Sequence, residues 1–131
     1  MPSKRIVALT LGLAGALLPP AVASTAAPPQ TAEPRTIEVL AKRFAFEPAV
    51  IEAVEGERLR ILVKSGDGLH GFEIKKFKVS KEIPRGGEPV VIEFTANEAG
   101  TFPILCSVFC GDNHADMKGT LVVSARPTAQ P

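Results

Sequence analysis

Arg58-Leu59-Arg60-Ile61-Leu62-Val63-Lys64 opens with charged and apolar residues in strict turn. That is the two-residue period of a strand with one face in a core and the other in water. Outward from this stretch, residues 36 to 125 form short β-favouring runs broken by Gly and Pro, and no segment sustains a helical period. Strands are predicted over Thr36–Ala41, Phe46–Ala53, Arg58–Ser65, Gly71–Ile74, Glu88–Thr95, Gly100–Leu105 and Lys118–Ser124. Short strands at this spacing, within about 90 residues, fit an all-β Greek-key sandwich. Gly86, Gly87, Gly100 and Gly119 are placed to supply its turns or bulges. No internal repeat is present.

A chain of 131 residues suits one domain with one hydrophobic core. Its N-terminus carries Lys4 and Arg5, an apolar run from Ile6 to Leu18, then Pro19, Pro20 and the small-residue end Ala21-Val22-Ala23. This is the layout of a secretory signal peptide cleaved after Ala23. The run of thirteen residues falls short of the roughly 20 needed to cross a bilayer, so no stable membrane span is expected. The predicted organisation is a signal peptide over residues 1–23, a flexible Ala/Pro/Thr/Gln leader over 24–35, the folded domain over 36–125 and a disordered tail over 126–131. A periplasmic or otherwise exported location follows. Removal of Lys4 and Arg5 with the signal leaves 13 Lys and Arg against 14 Asp and Glu, taking the formal charge from +1 to −1. Such a balance gives no reason to expect nucleic acid as a partner.

Beyond the signal, the chain holds two Cys, two His and one Met. Four of these five lie within Cys106-Ser-Val-Phe-Cys110-Gly-Asp-Asn-His114-Ala-Asp-Met117, and the fifth, His70, is predicted in a loop beside a strand. Thiolates, imidazoles and a thioether select copper or zinc over hard oxygen-seeking ions. Methionine then separates the two, since a weak axial Met beside His and Cys belongs to copper electron-transfer sites. A mononuclear blue site needs one Cys. Two Cys four residues apart allow two thiolates to bridge two metals, each taking one His, with Met117 and a backbone carbonyl in the weak positions. Gly111 permits the tight turn after the second Cys.

Each residue also has a plainer reading. An even cysteine count in an exported chain ordinarily signals a disulfide. His70 alone reads as a turn histidine, and Met117 alone as core filler. Their joint occurrence favours a metal centre. Phe72, Phe102 and Phe109 are expected to pack around the site and exclude water. Lys75, Lys76 and Lys78 read as a solvated sheet edge.

With these residues identified, the chain resembles the CuA domain of cytochrome c oxidase subunit II, shared with nitrous oxide reductases. The resemblance covers residues 36 to 124 and rests on Cys-x-x-x-Cys-Gly-x-x-His-x-x-Met from Cys106 to Met117. Asp67-Gly68-Leu69-His70-Gly71-Phe72 and Ile83-Pro84-Arg85-Gly86 match further family segments. It implies a cupredoxin-like fold and a centre of two copper ions. Cys106 and Cys110 would bridge, His70 and His114 would be terminal, Met117 axial, and the carbonyl of Val108 would complete the set. Val108 stands where the family usually has a Glu that also helps to bind magnesium at the catalytic subunit, which Val cannot do. The chain has no Trp or Tyr, whereas the oxidase domains use an aromatic patch to receive electrons from cytochrome c. The oxidase members also carry transmembrane helices ahead of the copper domain. These departures point to a free-standing soluble form; a monomer is expected.

The expected function is one-electron exchange with another redox protein, such as a c-type cytochrome or a terminal reductase or oxidase. The alternative is copper storage or delivery with the same side chains. No residue is assigned a catalytic role. Asp112 and Asp116 are the nearest candidate bases and read as loop residues.

Overall fold

A computed structural model describes residues 32–128 together with Gly12 and Gly15, and among these residues there are nine strands. They are β1 (Arg35–Lys42), β2 (Ala45–Glu47), β3 (Val50–Val54), β4 (Glu57–Ser65), β5 (His70–Ile74), β6 (Val79–Ile83), β7 (Val90–Ala96), β8 (Gly100–Leu105) and β9 (Lys118–Ser124). The expected signal peptide and the leader up to residue 31 lie outside the described residues, apart from those two glycines. Among the described residues, no helix is long and apolar enough to cross a membrane.

The period read in the sequence is the period observed. In β4, Leu59, Ile61, Val63 and Ser65 are buried, while Arg58, Arg60, Leu62 and Lys64 face outward. This strand lies inside a four-stranded sheet of order β2-β1-β4-β7, parallel to β1 and antiparallel to β7, with Ile61 opposite both Ile37 and Ile92. The second sheet has five strands in the order β3-β9-β8-β5-β6, with β3 and β9 parallel and the rest antiparallel. Apolar faces of the two sheets meet in one core that includes Leu59, Ile61, Phe72, Ile74, Ile104 and Leu121. Phe46 of β2 meets Phe72 of β5 edge to face, with ring centroids 5.5 Å apart, so aromatic contact joins the sheets.

Two departures from the predicted strands have physical causes. The single strand expected over Phe46–Ala53 is two strands in different sheets. Pro48 has no N–H to continue a ladder, and the Ala49 carbonyl accepts instead from Thr120 of β9, at 2.8 Å. The chain therefore changes sheet at this point. Strand β6 was not predicted because only its ends, Val79 and Ile83, are buried, while Ser80, Lys81 and Glu82 between them are exposed. As the edge of its sheet it has no need of alternation. The lysine-rich segment before it, Lys75–Phe77, forms a single 3₁₀ turn closed by Lys78 in the left-handed region at φ 55°.

The face assignment is testable on two β-branched residues. Ile61→Ala, in the core, is expected to cost about 2–5 kcal/mol. Val91→Ala, which is 53% exposed on β7, should change stability by less than about 0.5 kcal/mol. Chemical denaturation of the reduced, metal-free protein measures both, and equal losses would refute the two-layer arrangement.

Candidate metal centre

Antiparallel pairing of β8 with β9 puts Leu105 opposite Lys118, so the next residues outward, Cys106 and Met117, face each other at the mouth of the loop. The Cys106 N–H donates to the Met117 carbonyl at 3.4 Å and closes it. Inside the loop, His114–Asp116 forms a 3₁₀ turn, with the N–H groups of His114, Asp116 and Met117 donating to Gly111, Asn113 and His114. Gly111 is required twice over. Its φ is 142°, and a Cβ there would lie 3.0 Å from the Phe44 ring.

The folded loop gathers its sulfur and nitrogen atoms. The Cys106 and Cys110 Sγ atoms are 3.6 Å apart. From Cys110 Sγ, the His114 Nδ1 lies at 3.8 Å and the Met117 Sδ at 3.7 Å. The Val108 carbonyl oxygen is 3.2 Å from Cys106 Sγ. Both cysteines are free and buried, as is Met117.

His70 reaches the same point from β5, the neighbour of β8 in the sheet. It is the first residue of that strand, where a loop had been predicted. Its ring is completely buried, and one of its nitrogens lies within 4.8 Å of both sulfurs. The close approach depends on Gly71, because a Cβ there would lie 2.6 Å from the Ser107 nitrogen and 2.7 Å from the Val108 nitrogen. The space left by that missing Cβ lets the Gly71 N–H point at Cys106 Sγ, 3.4 Å away.

The orientation of the His70 ring is set by Asp67, whose Oδ1 lies 2.6 Å from Nε2. A carboxylate only accepts, so Nε2 carries the proton and Nδ1 keeps its lone pair. That Nδ1 is buried and has no hydrogen-bond partner. A buried nitrogen without a partner costs roughly 1–3 kcal/mol. Burial works to raise the Asp67 carboxyl, but the Arg43 N–H, the His70 ring and the Gly68 N–H together outweigh it and hold the carboxyl below its ordinary value. Ser65 steadies the loop by donating to the Gly68 carbonyl and accepting from the Asp67 N–H. This donor set fits copper: two thiols, two imidazoles and a thioether converge, with an orphaned lone pair among them.

All six positions singled out in the sequence, His70, Cys106, Val108, Cys110, His114 and Met117, thus meet at one place. Asp67 and Arg43 were not singled out. Asp67 left a signal in its three-residue spacing from His70, whereas Arg43 lies 67 residues from its carbonyl partner and left none. One expectation is corrected. Phe72 is buried and Phe102 packs edge-on against Phe77, but Phe109 is 72% exposed beside the His114 ring, at a centroid distance of 5.7 Å.

Known proteins share both the sequence pattern and the fold. Cytochrome c oxidase subunit 2 of Thermus thermophilus is 33% identical over 88 residues, which is 67% of this chain and 64% of that protein. The alternative cytochrome c oxidase subunit 2 of Bradyrhizobium diazoefficiens is 31% identical over 72 residues, 53% of this chain and 25% of that one. The chain thus spans less than two thirds of the length of these relatives. Among solved structures, the periplasmic domain of subunit II (CoxB) of Bradyrhizobium japonicum superposes with a TM-score of 0.60 at 21% identity, covering 69% of this chain and 83% of that one. The blue copper protein auracyanin A of Chloroflexus aurantiacus superposes with a TM-score of 0.55 at 21% identity, covering 70% and 99%. A family model, the cupredoxin-like domain, matches residues 13–123, a span that takes in both sheets and the whole sulfur-bearing loop. The chain belongs to that family, as a homologue of the copper domain of cytochrome c oxidase subunit II.

Proposed function

We propose that this chain is an exported electron-transfer protein with a binuclear copper centre of the CuA kind, and that it exchanges single electrons with another redox protein. The observation that carries the reading is the pair of free thiols 3.6 Å apart with the unpartnered His70 Nδ1 beside them. One thiol suffices for a mononuclear blue centre; two at this separation suit bridging. Cys106 and Cys110 would bridge, His70 and His114 would each hold one ion, and Met117 and the Val108 carbonyl would take the weak positions. Bound copper supplies a one-electron couple. The protein's part is to fix the donors in one geometry for both oxidation states and to exclude water.

The layout of Lys4 to Ala23 supports export through a cleaved signal peptide, and the likeness to a periplasmic domain agrees with it. Half-buried His114 is the outer edge of the site. Exposed Phe109 and 40% exposed Leu69, each adjacent in sequence to a donor residue, provide an apolar surface on which a partner such as a c-type cytochrome, or a terminal reductase or oxidase, can dock. In this reading Phe109 stands in for the Trp and Tyr that the chain lacks.

Copper storage or delivery with the same donors is the competing function, and rates separate the two. Expected for the copper-loaded protein is electron exchange with a small redox reagent, followed by stopped flow, that is complete long before a competing copper(I) chelator removes the metal. Rapid copper loss with sluggish electron exchange would reverse the assignment. Phe109→Ala should slow exchange with a protein partner while leaving exchange with the small reagent unchanged.

Proton linkage gives a second test. Burial, then the neighbouring Cys106 thiol, pushes the Cys110 thiol up to about 11 from its ordinary 9.0. At neutral pH copper must displace that proton, so apparent affinity should rise with pH by about tenfold per unit for each thiol proton released. The metal-free protein behaves in the opposite sense. Its unfolded state sheds the proton first, so stability of the reduced form should fall between pH 9.0 and about 11. Denaturation curves across that range should show this fall, which Cys110→Ser should remove and copper should abolish. A metal-free wild-type curve that stays level would contradict burial of the thiol.

A further inference from the structure

Arg43 lies in the turn between β1 and β2, at the far end of the four-stranded sheet's edge hairpin, yet it touches both halves of the metal centre. Its backbone N–H donates to Asp67 Oδ2 at 2.7 Å, and Asp67 in turn holds the His70 ring. Its side-chain Nε–H donates to the Cys110 carbonyl at 2.8 Å. The guanidinium runs between two glycines. A Cβ on Gly68 would lie 2.9 Å from an Arg43 terminal nitrogen, and one on Gly111 would lie 3.8 Å from Nε. Among the described residues, no carboxylate lies within ion-pair distance of the Arg43 guanidinium, so a surface salt bridge does not account for its placement.

The two bonds divide their work. The His70 half depends on a main-chain N–H that any residue except proline supplies at position 43. The Cys110 half depends on the arginine side chain. The carbonyl it grips belongs to the peptide that leads into Gly111, the residue at φ 142° from which the chain turns back to His114. A linear N–H···O=C bond from the planar guanidinium at that carbonyl fixes the turn in direction as well as position.

We propose that Arg43 is a positioning residue that fastens the Cys110–His114 arm of the metal centre to the sheet, and that it does so by its directional Nε–H bond rather than by its charge. The copper role of that arm rests on the function proposed above; the fastening does not. Loss of the side chain loosens one arm only, leaving Asp67 and His70 in place.

The experiment is amide hydrogen exchange on the full-length chain, reduced and metal-free, comparing wild type with Arg43→Gln and Arg43→Lys. In Arg43→Gln the His114 N–H, which bonds to the Gly111 carbonyl, should exchange about tenfold faster or more. The Gly71 N–H of the other arm should be unchanged, as should the melting temperature to within a few degrees. Arg43→Lys keeps the charge and should behave like Arg43→Gln. Uniform acceleration across both arms, no acceleration at His114, or full rescue by Lys would each overturn the proposal. Copper loss to a chelator, measured on the loaded forms, should accelerate in both variants. A chain that takes up copper in some other manner would defeat the functional reading and leave the exchange result intact.

Discussion

Adjacency of β5, β8 and β9 in one sheet is the constraint on which the centre depends. The β8–β9 register brings Cys106 and Met117 to one mouth, and the β5–β8 contact brings His70 against them. No single segment carries the site, so it exists only when the sheet is complete. Both sheets support this arrangement, since Phe46 from the first packs on Phe72, two residues after His70. Geometry held this way is resistant to distortion, because a shift of any donor must displace close-packed core.

The centre is also a place where the metal-free protein is not at rest. His70 keeps an unpaired nitrogen in the interior, and two thiols share a small buried volume. Natural cores seldom leave such a group unsatisfied without a functional reason. Asp67 makes the arrangement deliberate in physical terms, as it commits the opposite ring nitrogen and prevents the imidazole from turning to satisfy itself elsewhere. Gly71 and Gly111 provide the close approaches that side chains would block. The donors that surround this unsatisfied nitrogen are of the types that suit soft metal ions.

How much of this was legible in the sequence depends on whether the signal was local. The alternation in Arg58–Lys64 revealed the central strand because a two-sided environment imposes a two-residue period. The spacing from Cys106 to Met117 revealed the loop because one hairpin supplies all of its donors. Edge strand β6 escaped because solvent on its outer side relaxes the pattern to two buried end residues. The sheet change at Pro48 escaped because proline marks a break without saying where the chain goes next. Arg43 was invisible for a different reason: its role is a contact between distant segments, and an arginine in a turn is otherwise unremarked. Phe109 shows the converse error, since an aromatic residue inside a metal loop suggests shielding, whereas its exposure suits contact with a partner.

In the proposed function, two thiolates and two imidazoles hold a pair of copper ions that share one unpaired electron. The most direct test is the visible and electron paramagnetic resonance spectrum of the copper-loaded, mildly oxidised protein, recorded together with a copper count. Two copper ions per chain, a purple colour and a signal delocalised equally over both metals are the predicted result. One copper with a mononuclear blue or red signal, or a colourless chain with Cys106 and Cys110 joined, would contradict it.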